Sequence, residues 1–183
     1  MVMTHYMELL SSPLNLLLFM AIPVALAETL AITEFYVLYK DAHDGPVRAV
    51  NRLAGILLGV YFVGVFVYLV ATAVLPLTQG GAWRGWIDQL AVLSYLAGVV
   101  PLGLIAALEL GLVWRDRTPR QKLAIHAALI SIFLVVGHVA MVAGMLDPRL
   151  GGWKEPTTAG APAAMDHSGH DMSGHAGHAA PKP

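Results

Sequence analysis

The densest collection of side chains able to do chemistry is MDHSGHDMSGHAGH, Met165 to His178, close to the C-terminal end. It holds two His-x-x-His units, His167 with His170 and His175 with His178, interleaved with Met165, Met172, Asp166 and Asp171. Neutral imidazole ligates copper, zinc and nickel, thioether sulfur favours Cu(I), and carboxylates add oxygen ligands. The segment therefore reads as a metal-binding site with copper the leading ion and zinc or nickel as alternatives. Glycines between the ligands let the backbone fold around an ion. The chain has no cysteine, which removes thiolate sites, iron–sulfur clusters and cysteine nucleophiles from consideration. The bland alternative is a polar tail that only solubilises.

A second group of polar residues lies within strongly apolar sequence, where an ionisable side chain needs a reason to be. His138, Met141 and Met145 recur at helical spacing on one stripe, and Met20 falls at a similar depth, which makes a possible intramembrane site for a soft ion. Glu28 is the deepest carboxylate and is expected to face the interior of a helix bundle. Glu34, Glu109 and His126 fall near one predicted membrane boundary as an inner polar cluster, where snorkelling or mutual pairing would satisfy them. The bland reading of all these positions is interhelical hydrogen bonding and methionines that fill core gaps. Haem is not expected, because His126 and His138 would sit about 18 Å apart along one helix. No phosphate-binding glycine loop, hydrolase nucleophile motif or HExxH zinc motif is present, so no catalytic residue is assigned and an enzyme is not expected.

The elements that must position these residues are legible from composition. Hydrophobic residues make up 57% of the 183 and charged ones only 13%, with a mean hydropathy of +0.65, beyond what a soluble domain carries. Apolar stretches at about residues 13–39, 50–75, 86–114 and 123–146 are each long enough to cross a hydrocarbon core of about 30 Å. Short polar breaks separate them, DAHDGP from Asp41, PLTQGG from Pro76 and RDRTPR from Arg115. The fold class predicted is all-α, a four-transmembrane-helix antiparallel bundle over residues 1–153. Pro23 and Pro101, inside the first and third spans, each remove a helix hydrogen bond and can open a kink beside a polar site. A cleaved signal peptide ending at Ala27 is the rival for the first span. It fits poorly, because no Lys or Arg precedes it and apolar sequence continues to Leu38.

Basic residues are retained on the cytoplasmic side of a bilayer. The first and third connections carry Lys40, Arg48, Arg52, Arg115, Arg117, Arg120 and Lys122, against only Arg84, Arg149 and Lys154 on the other side. Both termini are therefore expected on the extracytoplasmic face. Trp83, Trp86 and Trp153 fall at the predicted outer boundary and Tyr36, Tyr39 and Trp114 at the inner one, where amphipathic rings belong.

After Trp153 the composition turns to Pro, Ala, Gly, Thr and Ser, too poor in apolar surface to offset chain ordering, and residues 154–183 are expected to be a disordered metal-binding tail. The run MDHSGHDM resembles the Met/Asp/His-rich segments of bacterial periplasmic copper-resistance proteins, over about fourteen residues. The membrane part, through IPVALAETLAITEFYVLY, GVYFVGVFVYL and HVAMVAGMLDP, is similar to an uncharacterised family of small four-span bacterial membrane proteins loosely labelled permeases. That resemblance implies a four-helix fold in a bacterial inner membrane and brings no activity or catalytic residues.

The reading that follows is a multi-pass protein of metal homeostasis. Its tail captures copper outside the cytoplasm and the region of His138, Met141, Met145 and Met20 receives it, with Glu28 as a deeper polar relay. The alternative is a non-catalytic subunit or assembly factor of a larger membrane complex. A metalloenzyme centred on Glu28, Glu34, Glu109, His126 and His138 is the third. The partners expected are the lipid bilayer, metal ions, and a homo-oligomer or larger complex. A formal net charge of −1 gives no reason to expect nucleic acid.

Overall fold

The computed structural model describes residues 2–40 and 44–155. Helix α1 (His5–Leu10) precedes long helices that we label α2 (Pro13–Lys40), α3 (Pro46–Gln79), α4 (Gly85–Glu109) and α5 (Pro119–Met145). A 3₁₀ turn, Pro148–Gly151, closes the described chain. Each of α2 to α5 is long and apolar enough to span a bilayer. Large apolar residues along them, such as Ile32, Phe35, Val60, Val67 and Val135, face outward, as an apolar solvent permits. The protein is a multi-pass, all-helical membrane protein.

Sequence neighbours pack side by side, α2 on α3, α3 on α4 and α4 on α5, and α5 returns to α2 across the least extensive of these seams. The core runs through Leu30, Leu58, Phe62, Tyr95, Leu102 and Ile105. Gly59 brings α3 against α4, since a Cβ there would lie 2.5 Å from the Ala106 Cβ and would also collide with the Leu102 carbonyl.

Three prolines shape the helices. Pro23 has no N–H for the Phe19 carbonyl and its ring would crowd it. The chain answers with a π-helical stretch, Leu17–Ala21. Tyr95 Oη on α4 then donates to the Phe19 carbonyl at 2.5 Å and Tyr61 Oη on α3 to the Leu18 carbonyl at 2.7 Å. Pro76 is likewise preceded by a π-helical stretch, Val70–Val74, so PLTQ continues α3 instead of ending it. Pro101 follows a break at Gly98, which separates two α-helical parts of α4.

The third span ends earlier than the hydropathy suggests, at Glu109 rather than Trp114. Gly111, at φ +70°, supplies the left-handed residue of a Schellman cap. Its N–H bonds the Leu108 carbonyl at 3.0 Å, and the Leu112 N–H bonds that of Ala107 at 2.8 Å. Glu109 therefore stands in the last turn of its helix. At the start of α5, Thr118 supplies a capping box in which Gln121 is the reciprocal partner.

Candidate functional site

At the end of the bundle that carries the Asp44 and 110–118 connections, all four long helices contribute to one buried polar cluster. Glu34 comes from α2, Arg48 and Asn51 from α3, Glu109 from α4 and His126 from α5. Glu34, Asn51 and His126 are at most 2% exposed and Glu109 is 8% exposed. The Arg48 guanidinium donates to both Glu109 oxygens, at 2.8 and 3.0 Å, and to Asn51 Oδ1. Asn51 Nδ2 in turn donates to Glu34 Oε2 at 2.9 Å and to Thr33 Oγ1 at 3.1 Å. His126 lies between the carboxylates, with Nδ1 2.7 Å from Glu34 Oε2 and Nε2 3.5 Å from Glu109 Oε1. Both are ion-pair distances, but neither approach has the direction of a well-formed hydrogen bond, and Glu34 Oε1 has no partner among the described residues.

Glu34, Glu109 and His126 are thus brought together in the bundle rather than snorkelling outward; Arg48 and Asn51 bond the two carboxylates, while His126 makes no well-directed hydrogen bond. The metalloenzyme reading does not fit this arrangement. The two carboxylates face opposite nitrogens of one ring and do not converge on a common point, while Glu28 and His138 lie elsewhere. Among the described residues no three His, Asp or Glu side chains are gathered as a metal site.

The cluster opens onto a cavity of about 520 Å³ lined by Asp44, Arg48, Arg52, Glu109 and Lys122. Arg52 stands 4.0 Å from Glu109 and is mostly exposed. Sequence reasoning placed Arg48 only as a topology signal and passed over Asn51. The available signal was an Arg-x-x-Asn pair, one turn apart on a helix, just inside the membrane boundary.

A second cavity, about 260 Å³, opens at the α2/α5 seam and is lined by Met20, Glu28, His138 and Met141 together with aromatic and aliphatic side chains, among them Tyr6 and Tyr95. Four of the residues assigned to an intramembrane site are therefore neighbours on one groove. Met145 is exposed on α5 and does not line it. Glu28 faces this groove and the outside of the bundle, not the packed interior. The buried stripe of α2 runs through Pro23, Ala27, Leu30, Glu34 and Val37, and Glu28 is turned about 100° from Ala27. His138 Nδ1 lies 2.6 Å from the Leu134 carbonyl. A carbonyl only accepts, so Nδ1 carries a proton, and in the neutral ring Nε2 keeps a free lone pair.

The opposite end of the bundle holds a polar latch that the sequence did not reveal. Asp88, fully buried, accepts from the His5 amide at 2.7 Å, from His5 Nδ1 at 2.6 Å and from the Arg84 amide at 3.1 Å. Thr4 Oγ1 donates to the Gly144 carbonyl at 2.8 Å, and Tyr6 lies against Gly144. Burial pushes the Tyr6 phenol up to about 12. Asp147 accepts from the Val2 amide. The Arg149 amide, chiefly, and then the Val2 amide hold its carboxyl below the usual carboxylate range.

The tail ligands His167, His170, His175, His178, Met165, Met172, Asp166 and Asp171 lie outside the described residues. No curated protein and no solved structure matches the chain. One family model does, over residues 1–160, and the chain belongs to that family, a family of unknown function designated DUF6803.

Proposed function

We propose that this protein handles a soft metal ion, copper foremost, at the groove between α2 and α5. The observation that carries the reading is the gathering of Met20, Met141, His138 and Glu28 around one cavity, with His138 held in the tautomer a ligand needs. A metal-binding imidazole ordinarily donates its other N–H to a carbonyl or carboxylate, which fixes the ring and raises its basicity. The bond from His138 to Leu134 is of that kind. Two thioethers, one imidazole and one carboxylate make a donor set suited to Cu(I), with Zn(II) and Ni(II) served less well.

In this proposal the tail, rich in the same ligand types, collects ions on the extracytoplasmic side of a bacterial inner membrane and delivers them to the groove. That sidedness rests on the distribution of Lys and Arg and on the aromatic belts. Delivery to a partner membrane complex would use the same groove from the other direction.

Metal analysis tests this directly. The full-length protein is loaded with Cu(I), Cu(II), Zn(II) or Ni(II) beside a His138→Ala/Met141→Ala variant and a chain ending at Trp153. The truncated chain should keep a Cu(I) ion that the double substitution removes. A full-length protein that binds none of the four ions ends the proposal, and equal binding by wild type and double variant after truncation removes the groove from it.

A further inference from the structure

The cluster at the other end of the bundle has a charge balance that the groove does not explain. With every carboxyl group ionised and His126 neutral, the buried set of Arg48, Glu34 and Glu109 sums to −1. Arg48 is committed to Glu109 by a two-pronged bond, and beyond the Asn51 amide the only group among the described residues that can compensate Glu34 is His126. An uncompensated charge this deep, flanked by apolar helices, is strongly disfavoured. One added proton brings the set to zero.

We propose that Glu34, His126 and Glu109 form a proton-binding site that holds one exchangeable proton, shared between Glu34 Oε2 and His126 Nδ1. The transfer is balanced in itself. Once a ring rotation aligns the 2.7 Å approach, Nδ1–H gives its proton to the Glu34 carboxylate, which leaves a neutral imidazole and a carboxylic acid, and the reverse step restores the ion pair. Imidazole can take a proton at one nitrogen and release one from the other. Nε2 faces Glu109, and Glu109 lines the cavity of about 520 Å³, so that cavity is the path to water.

The groups that face the site come from every helix packed around it. Glu34 comes from α2, Arg48, Arg52 and Asn51 from α3, and Glu109 from α4. On α5 itself Lys122 stands one turn from His126 and lines the cavity, with Asp44 at the rim. Arg52 and Lys122 favour delivery of negative charge to the cavity mouth, but Arg52 is 61% exposed and screened, so it does not replace the missing counter-charge. The two cavities share no lining residue, and the proton site stands independently of the metal reading.

Potentiometric titration of the full-length protein in lipid nanodiscs tests it, from about pH 5 to about pH 9, a window in which imidazole ionises and a carboxylate paired with an arginine stays charged. Wild type should release one proton more than Glu34→Gln, and one more than Glu109→Gln, because neutralising either carboxylate already balances Arg48. The double variant should match each single one. That failure to add distinguishes a shared proton from a structural role. Equal proton counts in wild type and Glu34→Gln overturn the proposal. Should the Gln variants not fold, His126→Gln supplies the second reading. With no imidazole the proton must stay on a carboxyl group, so the infrared carbonyl stretch of a protonated acid should appear. Its absence in folded His126→Gln overturns the proposal equally.

Discussion

Replacement of Arg48 by methionine probes whether the buried cluster holds the helices together. The substitution keeps most of the aliphatic stem and removes a guanidinium that bridges α3 to α4 by two bonds to Glu109 and one to Asn51. A hydrogen bond to a charged group contributes about 1.5–3 kcal/mol, and removing one partner of a buried pair costs about 3–5 kcal/mol. The two prongs share one carboxylate and the Arg48 side chain is 25% exposed, so a loss near the bottom of that range, about 3 kcal/mol, is expected. Most of this is the penalty of leaving Glu109 unpaired, so adding Glu109→Gln should restore part of it. Equilibrium unfolding in mixed micelles of the wild type, both single variants and the double variant gives the coupling directly, and about 1–2 kcal/mol is expected. Independent sites add within about 0.5 kcal/mol. Additivity to that tolerance would show that the pair contributes no coupling, and the account of Arg48 as a tie between α3 and α4 would be wrong.

Glycine positions within α3 give an internally controlled test. Gly59→Ala should destabilise by about 1–3 kcal/mol through overpacking against α4, whereas Gly64→Ala, with nothing within 4 Å of the new Cβ, should be neutral or stabilising by up to about 1 kcal/mol. Thermal unfolding midpoints that move together for the two variants would refute the contact. At the terminal end, the depressed Asp147 carboxyl fixes the sign of an acid effect. A group whose folded value lies below its unfolded one stabilises at pH above the unfolded value and loses that contribution as pH falls through the folded value. The protection factor of the Val2 amide against hydrogen exchange should therefore fall only in acid, and Asp147→Asn should make it low and independent of pH; a protection profile unchanged by the substitution counts against the tether.

The spans were legible because a run of twenty or more apolar residues is longer than a soluble core can usually bury and matches the thickness of a bilayer. Their ends were not. Gly111 reads as one more glycine in an apolar stretch until the Schellman bonds around it are seen, and Pro76 reads as a stop until the π-helical turn before it removes the clash. Helical spacing put His138, Met141 and Met145 on one stripe, of which the first two line the groove and Met145 does not. It could not say that Glu28 would turn away from the packed face, because the direction of α2 depends on which neighbour it leans against. Glu34, Glu109 and His126 share a depth and lie side by side in the structure, since equal distance from one boundary brings residues of a four-helix bundle to a common level. Depth carries no azimuth, however, and so hid the partnership of Arg48 and Asn51 with them. Asp88 escaped notice because its main partner, His5, is a short-helix residue 83 positions away.

The irregular turn before Pro23 makes a local defect a fastening point. Two tyrosines on different helices grip adjacent carbonyls that a regular helix would keep for itself. Straightening that turn, as Pro23→Ala would invite, returns the Phe19 acceptor to its own helix and evicts the Tyr95 hydroxyl into an oily surrounding. A residue that ordinarily weakens a helix here keeps its neighbours docked, and the wall of the α2/α5 groove inherits its shape from that exchange.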